Sequence, residues 1–310
     1  MFSPADIATL PFDDWVNGFV RGWLVPNFRP AFRAAQVPIS AVLAWTEAFF
    51  LFVPMLVTTA AFALASWLTA GRATAIFTVV GFAFIDMIGL WPQTMTTLAM
   101  IVTSVLFCAL VGIPTGILAA RSDRAWAVIR PVLDVMQTIP SFVYLVPIVM
   151  LFGVGMAPGI IATFIFALPP IVRLTNLGIR NVRADLIEAA EAFGSTRWQM
   201  LWDVQLPLAM RTIMAGMNQT LMLALSMVVI AALIGAGGLG LVVNSGLGRM
   251  DVGGATAGGV GIVILAIVLD RITQGLAERS DVRGTSLRQA LVNLFRLRGT
   301  APAAETERAA

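Results

Sequence analysis

Two groups of residues in this chain have types and spacings suited to acting on another molecule. The first lies between Gly178 and Thr212, a connection of about 33 residues that is long for a bundle turn. Asp185 is followed three residues later by Glu188, the spacing of a capping box. Leu186, Ala189, Ala190 and Phe193 then form an apolar stripe. Gly194 suits a left-handed helix stop, and Ser195 can cap a second helix holding Trp198, Leu201 and Trp202. Pro207 predicts a break before the next apolar run. A helix–Gly–helix hairpin with exposed Phe and Trp needs a partner surface, so its chemistry is noncovalent docking. Glu188 and Gly194 would also serve a plain helix start and stop, and both uses are compatible. The second group is polar residues inside apolar runs. Gln137, Ser141 and Tyr144 recur at i, i+4 and i+7. Gln219 and Ser226 share another face, with Asn218 adjacent. They could line a pathway or bond one another between helices. Tyr144 is the only Tyr in the chain, and an aromatic face there could attract a cation.

Composition limits covalent chemistry. All 20 basic residues are Arg, His is absent, and Cys108 is the only Cys. Most zinc sites, Ser-His-Asp and Cys-His arrangements and disulfide frameworks are therefore excluded, and no metal site is expected. Without Lys there is no P-loop, whose Lys must reach the β/γ-phosphates. Any ATP-driven engine must be another chain. An intramembrane enzyme would need a metal motif, a Ser/His pair or paired aspartates, and Asp86 and Asp134 have no such motif around them. Gly235, Gly237 and Gly240 match G-x-G-x-x-G, but the preceding run 221–234 is helix-length rather than a strand, so close packing or a turn is expected instead of a dinucleotide site. Gly112 and Gly116 make a small-xxx-small pair around Pro114, suited to helix packing more than to a hinge. Asp134 is expected beside Arg130, and Asp86 has no partner that the pattern names.

The elements that must position these residues are membrane helices. Only 12% of the 310 residues are charged and 58% are hydrophobic, against about 25% charge in a soluble domain. A span takes about 20 apolar residues. Seven stretches come near that, at 48–69, 73–90, 94–120, 132–153, 158–178, 212–236 and 254–270. Phe12, Trp15, Phe19 and Trp23 recur at helical intervals, as in a helix lying on a membrane surface or packed on the bundle. The first 40 residues lack the order of a signal peptide. With the N-terminus outside, four of the 20 Arg fall outside (Arg21, Arg29, Arg33, Arg249) and the other 16 inside, so positive-inside counting places the N-terminus outside and the C-terminus inside. A basic amphipathic segment is expected over 286–298, suited to the anionic inner leaflet. The net charge of +3, with Arg spread between apolar runs, argues against nucleic acid.

At Glu188-Ala189-Ala190, Gly194, Val204 and Leu206-Pro207 the loop resembles the EAA loop of ABC-importer permeases, with Val204 where that pattern has Ile. The segments 136–155, 166–179 and 205–240 are similar to the glycine betaine/proline betaine branch and its choline-importing relatives. The likeness runs from about Trp91 to Gln274. It implies an all-α integral membrane fold of about seven transmembrane helices, a five-helix type I core preceded by two accessory spans. The implied divisions are an N-terminal extracytoplasmic or amphipathic segment (1–47), accessory helices (48–90), a permease core (91–274) with a coupling loop (179–211), and a cytoplasmic tail (275–310). It also implies a noncatalytic subunit in a bacterial inner membrane. Its partners would be a second copy of itself, two ATPase subunits that bind the ATP and Mg, and an extracytoplasmic solute-binding protein. Glu188, Ala189, Ala190, Gly194, Val204, Leu206 and Pro207 would carry coupling, and Gln137, Ser141, Tyr144, Asn218, Gln219 and Ser226 would line the pathway. A choline-specific permease is the nearest alternative, and an ATP-independent secondary transporter the alternative of another class. No internal repeat is visible, which argues against the inverted-repeat form of the latter.

Overall fold

The computed structural model describes residues 11–279, and every element among them is helical. Helix α1 (Phe12–Asn17) passes through a π-helical stretch (Gly18–Leu24) into α2 (Val25–Phe52). Helices α3 (Met55–Ala70) and α4 (Arg72–Met87) form a hairpin. Then come α5 (Trp91–Arg121), α6 (Asp123–Thr138), a single 3-10 turn (Ser141–Tyr144), α7 (Leu145–Phe152) and α8 (Met156–Arg180). The long loop holds α9 (Ala184–Ala192) and α10 (Arg197–Gln199). A second π-helical stretch (Met200–Gln205) leads into α11 (Leu206–Ala232), followed by α12 (Leu239–Gly248) and α13 (Val252–Arg279).

The all-helical membrane class stands, but the seven expected spans do not appear as drawn. Among the described residues five helices are long and apolar enough to cross a membrane, or six if the bent pair α6 and α7 counts as one span. The expected span 48–69 is two helices, because Val53 is extended at ψ 126° ahead of Pro54, as the residue before a proline prefers. The helix before that break runs without interruption from Asp14 to Phe52, through the expected boundary at 47. Helices α3 and α4 have 16 residues each, about 24 Å, short of a full hydrocarbon core of about 30 Å. Asp86 is exposed in the last turn of α4. The expected span 132–153 is bent by 101° at Ile139, again extended before a proline, Pro140. The segment expected over 286–298 and the tail beyond it lie outside the described residues.

Small residues bring the central helices together, as they do where lipid supplies no hydrophobic drive between helices. A Cβ on Gly112 would sit 2.4 Å from Ile171 Cγ2, and one on Gly116 would sit 2.5 Å from Thr175 Cβ. The expected packing role of this pair therefore holds, and it joins α5 to α8. Gly178 meets Ala209 and Gly216 meets Ile171 and Leu174, which seats α11 beside α5 on α8. Cys108 is buried in this seam with Leu168, Ile171 and Ile213. Arg180, the last residue of α8, donates to Ala119 O at 2.9 Å, so α5 and α8 end at the same side of the bundle. At the opposite side Gly155 N donates to Ile234 O at 2.8 Å, and Leu239 N to Thr97 Oγ1 at 2.8 Å. Helix α12, which the sequence reading did not anticipate, pairs antiparallel with α13, Gly246 against Ala255 and Gly258 against Val243. The α3–α4 hairpin turns at Gly71 (φ +94°) and leans on α13, where Gly81 meets Ile264 and Gly275 meets Thr69.

Candidate functional site

The loop between α8 and α11 projects from the bundle end where α5 and α8 terminate. The short α9 buries no residue. Its N-cap is Arg183, which makes no side-chain cap. Asp185 instead sits in the first turn and accepts two hydrogen bonds from the Arg183 guanidinium, at 3.0 and 2.5 Å. Those bonds hold the Asp185 carboxyl below the usual carboxylate range. The expected capping box at Asp185 and Glu188 therefore does not form. The stop at Gly194 does form: φ is +80°, Ser195 N donates to Ala190 O at 3.0 Å and Gly194 N to Glu191 O at 2.9 Å. These two bonds make a Schellman motif. The second helix is capped by Thr196 rather than Ser195, in a reciprocal capping box with Gln199.

The expected break at Pro207 is also missing. Backbone helix continues from Arg197 to Ala232, and the π-helical stretch Met200–Gln205 is the reason. A proline ring collides with the carbonyl four residues earlier, here Asp203, which lies in the wider π turns that relieve such crowding. Of the seven loop residues singled out, Glu188, Ala189, Gly194 and Pro207 are exposed, and Ala190 and Val204 are half-buried. Leu206 is buried with Leu201 against α8 and anchors the loop's return. The aromatics face outward: Phe193 is 91% exposed, Trp198 60% and Trp202 51%. Trp198 and Trp202 pack edge to face at 5.7 Å, and the Arg121 guanidinium lies 5.9 Å from the Trp198 ring centre. The sequence reading did not single out Arg121. Its place at the end of α5 is evident only once α5 and α8 are seen to end together.

The polar residues expected to share faces separate into different roles. The bend at Pro140 takes Ser141 and Tyr144 off the α6 face that carries Gln137, so the i, i+4, i+7 stripe does not exist. Tyr144 is buried, and its hydroxyl bonds Met136 O and, at 2.9 Å, Ile139 O, which braces the bend. Gln137 Oε1 accepts from Arg173 Nη1 at 2.7 Å. Asp134 is 3.9 Å from Arg130, as expected, but pairs more tightly with Arg173 at 2.6 Å. Asn218 donates to Asp270 at 3.0 Å and accepts from Thr273 at 2.5 Å, which ties α11 to α13. Gln219 and Ser226 are exposed on α11. The Gly-rich run is the α11–α12 turn: Gly235 and Gly238 have φ of +82° and +78°, and a Cβ on Gly240 would lie 2.3 Å from Val228 O. The helix before it excludes the dinucleotide geometry. Among the described residues there is no cluster of three or more His, Cys, Asp or Glu side chains that could hold a metal.

Comparison with known proteins places this arrangement. Residues 112–282 match the family described as "Binding-protein-dependent transport system inner membrane component". The chain is 54% identical over 284 residues to the glycine betaine/proline betaine transport system permease protein ProW of Escherichia coli (strain K12), covering 92% of this chain and 80% of that protein. It is 44% identical over 277 residues to the glycine betaine transport system permease protein OpuAB of Bacillus subtilis (strain 168), covering 89% of this chain and 98% of that protein. A native crystal form of the MetNI methionine ABC transporter in an inward-facing conformation superposes with a TM-score of 0.54 at 24% identity. The match covers 63% of this chain and 95% of that chain, a likeness of fold.

Proposed function

The chain belongs to the family of binding-protein-dependent transport system inner membrane components, and on that premise we propose that it is the permease subunit of an ATP-driven importer of glycine betaine or proline betaine. The observation that carries the reading is the protruding α9–α10 loop with its outward Phe193, Trp198 and Trp202, set at the end of the buried α8 and α11. The relatives are named for betaines, which favours these substrates over choline. A separate ATPase docks on the loop, and the permease cycles between inward- and outward-open states that the ATPase binds differently. Glu188, Ala189, Ala190 and Gly194 meet the ATPase, while Val204, Leu206 and Pro207 fix the loop to α11.

The assembly we propose has two copies of this chain, two ATPases that hold the ATP and Mg, and one extracytoplasmic binding protein. The loop end faces the cytoplasm, supported by Arg121, Arg124, Arg180, Arg183 and Arg197 gathered there. The N-terminus lies outside and the C-terminus inside. A quaternary ammonium offers no hydrogen bond, so weakly polar walls suit it. Gln219 and Ser226, exposed on one face of α11, are the lining residues we retain. Tyr144, Gln137 and Asn218 have structural bonds instead, and Ser141 sits at the bend.

The test is reconstitution with the cognate ATPase and binding protein in liposomes, with labelled glycine betaine, proline betaine and choline compared. ATP-dependent betaine uptake is the expected result. Choline uptake alone would select the choline-specific alternative. Uptake undiminished without the ATPase would sink the importer reading in favour of a secondary carrier.

A further inference from the structure

Helix α6 is fastened to α8 by charge at both of its ends. At its first residue, Asp123 pairs with Arg180 at 2.7 Å. The same guanidinium donates to Asn176 Oδ1 and Ala119 O, each at 2.9 Å. In its last turns, Asp134 and Gln137 both bond Arg173, at 2.6 and 2.7 Å. Arg173 and Arg180 are seven residues apart, two turns along one face of α8. Between these two points α6 buries only Leu133, and an open cleft of about 370 Å³ separates the helices, lined by Trp126, Arg130, Leu174 and Leu177 among others. Leu133, with the half-buried Trp126, Ile129 and Met136, seats α6 on the core, and the two arginines add fixed polar attachments to α8 at its two ends.

The two points have mechanical consequences. One attachment would let α6 pivot, whereas two prevent rotation and make it follow α8. Arg180 is the last residue of α8 and precedes α9 by only three residues, so a push on the loop reaches the first clamp at once. Beyond the second clamp the chain bends by 101° into Ser141–Phe152, with the Tyr144 hydroxyl holding the corner to Ile139 O. We propose that Arg173 and Arg180 are positioning residues for transport. They clamp α6 to α8, so that α8, α6 and the braced bend move as one body with the loop. The proposal rests on the reading of that loop as the ATPase dock.

The experiment uses the complete complex, with ATPase and binding protein, in liposomes. In a Cys108→Ala background, Asp134→Cys with Arg173→Cys removes the second clamp and should lower uptake about tenfold, in the range of known coupling losses. Joining the two thiols with a short bifunctional methanethiosulfonate should restore it. Uptake that stays lost after cross-linking overturns the one-body motion, because a bond between α6 and α8 would then obstruct the cycle. Separately, Arg180→Gln should cut uptake about fivefold or more while ATP hydrolysis stimulated by the binding protein stays within about twofold, with Arg180→Lys recovering part of the coupling. Equal loss of both activities, or none, overturns the clamp. A wild-type complex without ATP-driven uptake overturns the functional reading itself, and that outcome is distinct from a competent wild type indifferent to Arg180.

Discussion

Helices α2 and α11 are entered in the same way and end in different places. Each follows a π-helical stretch, Gly18–Leu24 or Met200–Gln205, that closes two residues before a proline, Pro26 or Pro207. In both, the carbonyl a proline ring would strike lies in the widened turns. Yet the most apolar window of the α11 helix is 44% buried and that of the α2 helix only 6%. The difference lies in the side chains. Helix α11 presents Ala209, Gly216, Ala224, Ala231 and Ala232 to its neighbours, and small residues let backbones approach. The α1–α2 arm instead stacks its aromatics on itself: Phe19 on Trp23 at 5.3 Å, Trp23 on Phe28 at 5.4 Å, Phe28 on Phe32, then Phe32 on Phe152 of α7 at 5.3 Å. One local device thus serves both a core helix and a peripheral arm, and what each helix packs against decides between them.

The comparison breaks first at its glycines. Gly216→Leu should be the most damaging change, since a Cβ there already lies 3.0 Å from Leu174 Cβ and 3.2 Å from Ile171 Cα. Overpacking of this kind costs about 1–3 kcal/mol. Gly22→Leu meets open space and should be neutral. Thermal unfolding of the two variants in detergent would separate them, and equal melting points would remove the distinction between core helix and arm. The next effect is at Gly194, where space is open but φ is +80°. Gly194→Val should cost about 1–2 kcal/mol of left-handed strain, felt locally in the loop. ATPase binding should weaken while the melting point of the bundle hardly moves, and unchanged binding would count against the loop as the dock.

What could be read in advance follows the same division. The loop was legible because its signals are local: Gly194 for the left-handed stop, a hydroxyl for the cap and bulky apolars with no core to enter. The second cap is displaced by one residue to Thr196, and the first helix starts after Arg183 without the expected Asp185–Glu188 box. The bend between α6 and α7 was not legible by hydropathy, since 132–153 reads as one apolar run in spite of Asp134 and Gln137. Pro140 was its one sign. The break at Val53–Pro54 was hidden in the same way, and the break expected at Pro207 fails because a π stretch absorbs it. Hydropathy also missed α12, ten residues long and below any span threshold. Partners across elements were the least accessible. Asp134 had Arg130 one turn away, while its shorter bond goes to Arg173 on another helix, which only the packing of α6 on α8 could reveal.

Two smaller effects sharpen the contrast between arm and loop. Trp23→Ala cuts the aromatic ladder in the middle, at about 0.5–1.5 kcal/mol for each ring pair lost. It should raise hydrogen exchange in the arm before Pro26 and leave α11 as it was. Faster exchange in α11 as well would mean that the arm is part of the core. The smallest effect belongs to Asp185, exposed and held by Arg183. Its carboxyl titrates below its unfolded value, so the unfolded chain binds the proton more readily. The stabilisation is present above the unfolded pKa and disappears as pH falls through the folded one. The protection of the α9 amides, measured against the unstructured chain at the same pH, should therefore fall on acidification below the ordinary carboxylate range, and Asp185→Asn should flatten that response while changing little near neutral pH. An acid response that persists in Asp185→Asn would place the sensitivity in another group, with Glu188 the next carboxylate on α9 to replace.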